Sequence, residues 1–139
     1  GQESCPWMNT ATAGGVLGGN VNVTVQHASK NKEDATCEFK LEGPNLAILR
    51  IEVATMGSKP GDFAAYRARC GSQPSALRAI GNQAYACSLG SKNTSEQVFG
   101  RVRDRAFAVE VNSNLKSATS ASVREQARDV AEQVAGNLF

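Results

Sequence analysis

Leu46-Ala47-Ile48-Leu49-Arg50-Ile51-Glu52-Val53-Ala54 decides how this chain is read. Ala47, Leu49, Ile51 and Val53 fall on one face at a period of two, while Leu46 and Ile48 share the other with Arg50 and Glu52. That pattern predicts a central strand partly covered on both sides. Gly43-Pro44-Asn45 breaks the chain before it. Further upstream Cys37, Phe39 and Leu41 alternate, and so do Val21, Val23 and Val25 against polar Asn22, Thr24 and Gln26. With a charged loop at residues 29–34, the three runs read as an antiparallel meander. The small-residue stretch at residues 10–17, closed by Gly18-Gly19, reads as a short helix ahead of it.

The pattern repeats downstream. The Pro60-Gly61 turn signal at residues 57–61 leads to Asp62, read as the cap of a helix over residues 63–70, with Phe63, Tyr66 and Cys70 at helical spacing and Gly71 as its stop. Leu77 and Ile80 lead into Gly81, after which Tyr85, Cys87 and Leu89 alternate. A polar turn at residues 90–95 follows. Val98, Gly100 and Val102 then alternate with Phe99, Arg101 and Arg103, and Phe107, Val109 and Val111 alternate beyond a tight turn near Asp104. A polar linker at residues 112–120 precedes Ser122-x-x-Glu125, which resembles a capping box. Val123, Ala127, Val130, Ala131, Val134 and Leu138 form the apolar stripe of the last helix. The expectation is one α+β domain over residues 1–139, an antiparallel sheet of about six strands with helices packed on it, in the order α-βββ-α-βββ-α.

Composition narrows the partners. The 139 residues are 41% hydrophobic and 20% charged with a formal charge of +2, ordinary for a globular domain and without the dense basic field that gathers nucleic acid or anionic lipid. No run approaches the roughly 20 apolar residues that cross a bilayer, and no basic-apolar segment opens the sequence. A soluble chain with no transmembrane segment and no nucleic-acid partner is expected. Its start, Gly1-Gln2-Glu3-Ser4-Cys5, looks mature or trimmed, and Cys5 follows polar residues unsuited to a lipidation signal.

Cysteine spacing carries the firmest chemistry. Cys5, Cys37, Cys70 and Cys87 are even in number and contain no C-x-x-C pair. A zinc site would need all four scattered thiolates or a mixed set with the single His27. Disulfides are therefore expected ahead of metal, with four buried free thiols as the competing reading. Of the three pairings, Cys5 with Cys37 and Cys70 with Cys87 is preferred, because each joins a cysteine near a helix to a following strand. These bridges imply export to a secreted, periplasmic or envelope-anchored location.

Catalytic signatures are not evident. His27 stands near a strand end between Gln26 and Ala28 without placed partners and reads as a surface or capping histidine. No Gly-x-Ser-x-Gly elbow or Ser-x-x-Lys pair marks a serine nucleophile. Asp62 is explained by a cap and Glu33-Asp34 by a solvated loop. Gly14-Gly15 and Gly18-Gly19 lack the preceding strand and lysine of a phosphate loop and read as close-packing or turn glycines. No catalytic, metal or cofactor residue is assigned. Trp7 is read as a clamp on the core. Arg101, Arg103 and Arg105 are the candidate partner contact: alternation places them on one strand face near a hairpin tip, where they either bind an anion or acidic partner or guard a sheet edge.

Cys5 ahead of a helix ending Leu17-Gly18-Gly19, Cys37-Glu38-Phe39 in a strand, and Leu77-Arg78-Ala79-Ile80-Gly81-Asn82-Gln83-Ala84-Tyr85 entering another strand resemble small secreted bacterial lipoprotein-type domains of unknown function, similar to the PsbP-like fold. The resemblance spans nearly the whole chain. It departs at Asn82-Gln83, where acidic residues are common, and at the additional Cys70 and Cys87. It transfers no catalytic residue. It implies a noncatalytic binding or accessory module of the bacterial cell envelope, with an unknown protein or small ligand as partner. The alternative is a small hydrolase or transferase whose site is assembled from dispersed residues.

Overall fold

The computed structural model describes residues 3–27, 34–56, 61–90 and 92–139, with the side chains of Gly61 and Asp62 left out. Within them the chain runs α1 (Thr10–Leu17), β1 (Val21–His27), β2 (Ala35–Leu41), β3 (Ala47–Thr55), α2 (Gly61–Ala68), β4 (Ser75–Leu77), β5 (Gln83–Ser88), β6 (Thr94–Val102), β7 (Arg105–Ser113) and α3 (Ser120–Leu138). All seven strands form one antiparallel sheet in the order β1-β2-β3-β7-β6-β5-β4. The two meanders meet where β3 pairs with β7.

Period-two alternation sorts the side chains to opposite faces of this sheet. Phe39, Leu49, Ile51, Val98, Phe107, Val109 and Val111 point to one face, where α1, α3 and Trp7 bury them. Each large apolar side chain so buried contributes about 1.5–3 kcal/mol. The α3 stripe, Val123 to Leu138, is buried against them as expected. On the other face Phe99, Ala106, Ala108 and Cys87 pack with Tyr66 of α2. Helices thus lie on both sides of the sheet.

Local chemistry sets the helix ends. The Asn9 side chain accepts from the Thr12 N–H at 2.7 Å and opens α1. Gly18 closes it in the left-handed region at φ 91, its N–H donating to the Gly14 carbonyl. A Cβ on Gly14 would sit 2.6 Å from the Gly19 carbonyl oxygen, so this glycine permits the turn to fold back. Trp7 is buried at 5% exposure, and the Asn137 side chain donates to its carbonyl, tying the chain start to α3.

Both disulfides form in the preferred pairing, Cys5 with Cys37 and Cys70 with Cys87, and no cysteine among the described residues is free. The first anchors the segment before α1 to β2. The second anchors the chain after α2 to β5. Such bridges belong to an oxidising, extracytoplasmic environment. Among the described residues no helix is long and apolar enough to cross a membrane.

Several expectations need correction. A seventh strand, β4, precedes β5, so the order is α-βββ-α-ββββ-α; three residues at a sheet edge are too few for alternation to register. Residues 29–33 of the charged loop and 57–60 of the turn lie outside the described residues. The second helix spans Gly61–Ala68, which puts Asp62 inside it and not at its cap. Gly71 is not the stop: two tight turns, Arg69 N–H to Tyr66 and Cys70 N–H to Arg67, end the helix before it. Gly71 serves instead to approach Gly90, whose backbone would lie 3.1 Å from an added Cβ. The capping box at α3 is Thr119 with Ser122, one turn earlier than Ser122 with Glu125, because a serine hydroxyl serves as well as a carboxylate at the third position. Sheet pairing extends β6 back to Thr94 and β7 on to Ser113, shortening the polar turn and the linker.

Gly100 of β6 faces β5 with no room for a side chain. A Cβ there would lie 2.2 Å from the Gln83 carbonyl oxygen and 3.0 Å from Phe107. Gly100→Ala is expected to destabilise by about 2–3 kcal/mol, because backbone on one side and a buried ring on the other must both yield. Urea unfolding checks this; a loss under about 0.5 kcal/mol, the ordinary surface range, would contradict the register.

Candidate functional site

The β6–β7 hairpin closes through the two-residue turn Arg103-Asp104, with Val102 paired to Arg105 and Arg101 to Ala106. Alternation counted along one strand does not continue through such a turn. Arg101 therefore shares the α2 face with Phe99, whereas Arg105 shares the opposite face with Phe107. The expected one-face stripe of Arg101, Arg103 and Arg105 is thus divided: the tip is where the sequence placed it, but Arg105 lies on the far side.

The place of Arg105 is taken by Arg67 of α2. Phe63, Tyr85 and Phe99 form a cluster with ring centroids 5.3–5.9 Å apart, and the Arg67 guanidinium lies 4.7 Å from the Tyr85 centroid and 5.9 and 5.8 Å from those of Phe63 and Phe99. Beside it, Gln83 Nε2 donates to the Tyr85 hydroxyl at 2.7 Å and Gln83 Oε1 accepts from Arg101 Nε at 3.4 Å. Arg101 Nη1 donates to the Arg103 carbonyl at 3.0 Å, and the Arg103 N–H donates to Asn82 Oδ1 at 2.6 Å. Arg67, Tyr85, Gln83, Arg101 and Arg103 are thus one chain of contacts. Sequence reading could not include Arg67, because helical and strand positions far apart in the chain meet here only through the α2–sheet packing.

Backbone conformation marks the same end of the sheet. Ala79 at φ 63 and Arg103 at φ 56 are the non-glycine residues with positive φ among those described. The loop carrying Ala79, Gly81 and Asn82 packs onto β6 through Asn82 N–H to the Arg101 carbonyl. A Cβ on Gly81, at φ 59, would lie 2.5 Å from that carbonyl oxygen.

Polar groups continue across the α2 face. Glu52 accepts from Arg50 at 3.0 Å and Arg69 at 2.9 Å. Gln97, fully buried, donates to the Tyr66 carbonyl at 3.0 Å beside the Cys70–Cys87 bridge. Next to them Glu110 has its carboxyl pushed above the usual carboxylate range, chiefly by burial and further by Glu52, against the opposing pull of Arg50, Arg69 and the Ser95 hydroxyl. The folded state thus holds a proton that the unfolded state releases, so stability falls as pH rises from about 4.5 through the raised value. Glu110→Gln is expected to raise the thermal midpoint at pH 7 and to leave it unchanged below pH 4, the gain being under about 1 kcal/mol. Melting curves across that range test it; a variant less stable at pH 7 would show that the arginine contacts outweigh burial.

The opposite face holds a groove of ≈ 460 Å³ between the start of α3 and β4, lined by Leu77, Ser120, Ala121, Arg124, Glu125 and Arg128. Its Arg124 is committed to Glu96 at 2.8 Å and Ser88 at 3.1 Å. His27, at the end of β1, bonds Glu3 and holds the N-terminal segment near the Cys5 bridge. Among the described residues no three His, Cys, Asp or Glu are grouped to hold a metal ion.

No protein-family model, curated protein or solved structure matches this chain.

Proposed function

We propose that this chain is a noncatalytic binding or accessory module of the bacterial cell envelope, of the PsbP-like lipoprotein type, which meets its partner through the Arg67, Arg101 and Arg103 end of the sheet. The observation that carries this reading is Arg103. An exposed arginine occupies a left-handed turn position that costs a non-glycine residue about 1–2 kcal/mol and glycine almost nothing. Strain of this kind gathers at ligand clamps and switch regions, and Ala79 adds a second strained residue across the Asn82 contact. The two disulfides support an envelope location. His27, engaged with Glu3 in a pair that tethers the chain start, lends no support to the hydrolase or transferase alternative.

The test is crosslinking capture from the native envelope with wild-type protein and Arg103→Glu. Capture of a defined partner that drops about tenfold in the variant, at unchanged thermal stability, is expected, since exposed charges contribute little to folding. Equal capture by both proteins removes this surface from the proposal.

A further inference from the structure

We infer that Arg67, Arg101 and Arg103 form a carboxylate-binding surface for an acidic, extended segment of a partner protein. The inference rests on the binding-module reading and adds the chemistry of the partner. Ion pairs among the described residues engage Arg50, Arg69, Arg124 and Arg128, and leave Arg67, Arg101 and Arg103 without a carboxylate. Three guanidinium groups with no ion-pair partner among the described residues lie along one run of contacts, in a chain whose formal charge is only +2.

Arg67 and Arg101 have their side chains in contact with neighbouring groups before any ligand arrives, and Arg103 has its backbone fixed beside them. The Arg67 guanidinium carbon lies 4.7 Å from the Tyr85 ring centroid, a cation–π contact that steadies the side chain. Arg101 is oriented by Gln83 and by the Arg103 carbonyl, and the backbone of Arg103 by Asn82. A preorganised planar fork matches a carboxylate bidentately and loses less rotamer entropy on binding than a free side chain. Tyr85 and Phe63, both half-buried beside the guanidinium groups, supply apolar contact for the stems of glutamate side chains. An anionic membrane is the poorer fit, because lipid-binding clusters gather about 4–8 lysines and arginines and this surface has three.

The experiment titrates a fluorescent peptide of alternating glutamate and serine, with a glutamine-serine peptide as control, against wild-type protein and Arg67→Gln, Arg101→Gln, Arg103→Gln and Arg128→Gln. Arg128 lies on α3, on the opposite side of the sheet. Binding to wild type that weakens as salt rises, falls about fivefold for each of the first three variants and is unchanged for Arg128→Gln is the expected result. Thermal midpoints accompany each titration, and Arg103→Gln, whose side chain is exposed, keeps the test decisive if the Arg67 variant loses stability with its ring contacts. No acidic-peptide binding at low salt overturns the inference. So does an equal loss with Arg128→Gln, which marks a general charge effect, or binding to phosphatidylglycerol vesicles without binding to the peptide. Envelope capture that depends on Arg103 while the acidic peptide fails to bind rejects the acidic partner and leaves the module reading standing; failure of both rejects both.

Discussion

Reduction of both disulfides is expected to unfold this protein or bring it to the margin of stability at 37 °C. The bridges span sequence separations of 32 and 17 residues, and closing loops of that length restricts the unfolded chain by about 3–4 kcal/mol each. Their combined contribution of about 7 kcal/mol is comparable to the whole net stability of an ordinary domain, about 5–15 kcal/mol. Position adds to this: Cys5–Cys37 holds the segment carrying buried Trp7 and Met8 against the sheet, and Cys70–Cys87 holds the exit of α2. Urea unfolding with and without reductant, beside the double variants Cys5→Ser/Cys37→Ser and Cys70→Ser/Cys87→Ser, measures each share. A reduced protein with an unchanged midpoint would mean that the core alone carries the fold. Peptide mapping without reductant that links Cys5 to Cys70 or Cys87 would sink the layout itself.

Arg124→Ala is expected to cost about 3 kcal/mol. Glu96 lies on the helix-covered face of β6 with its side chain only 2% exposed, and Arg124 of α3 covers it while remaining 39% exposed itself. Removing the arginine strands a carboxylate under α3. Because Arg124 is itself 39% exposed, the figure stays at the low end of the range for buried pairs. Replacing both residues by leucine is expected to restore most of the loss, since the pair repays its own desolvation and little more. With Arg124→Leu and Glu96→Leu as the single variants, the double-mutant cycle is expected to give a coupling well above the 0.2–1 kcal/mol of exposed pairs. A cost under about 1 kcal/mol for Arg124→Ala would show that solvent satisfies Glu96 without it.

How much of this was legible in the sequence follows from the range of the interactions concerned. Alternation in Val21–His27, Ala35–Leu41 and Ala47–Thr55, and the stripe of α3, reflects which side chains must leave water. That requirement is written residue by residue at periods of two and 3.6, so the strands, the last helix and the α+β class are evident before any contact is known. The disulfide pairing is legible for a related reason: each bridge joins a cysteine near a helix to a strand that follows within the same half of the chain. β4 is not, because a three-residue edge strand owes its existence to the partner it lies against. The α3 cap falls one turn before Ser122-x-x-Glu125, because Ser122 fills the third position of the box in place of a carboxylate and the two local hydrogen-bond patterns are equally good.

The candidate site belongs to tertiary structure. Sequence alone determined that Arg101 and Arg103 stand at a hairpin tip, because the turn and the strands flanking it are local. It assigned Arg105 to the same surface by extending a period of two through a turn that reverses the chain, where that period no longer applies. Only the packing of α2 across β6 and β7 brings Arg67 over Tyr85, and only the β5–β6 register sets Gln83 beside Arg101. The same holds for Glu96 beneath Arg124, 28 residues apart in the chain. Burial is an average property that each residue carries with it, whereas a binding surface depends on which distant residues meet, and that is decided when the sheet closes and the helices settle on its faces.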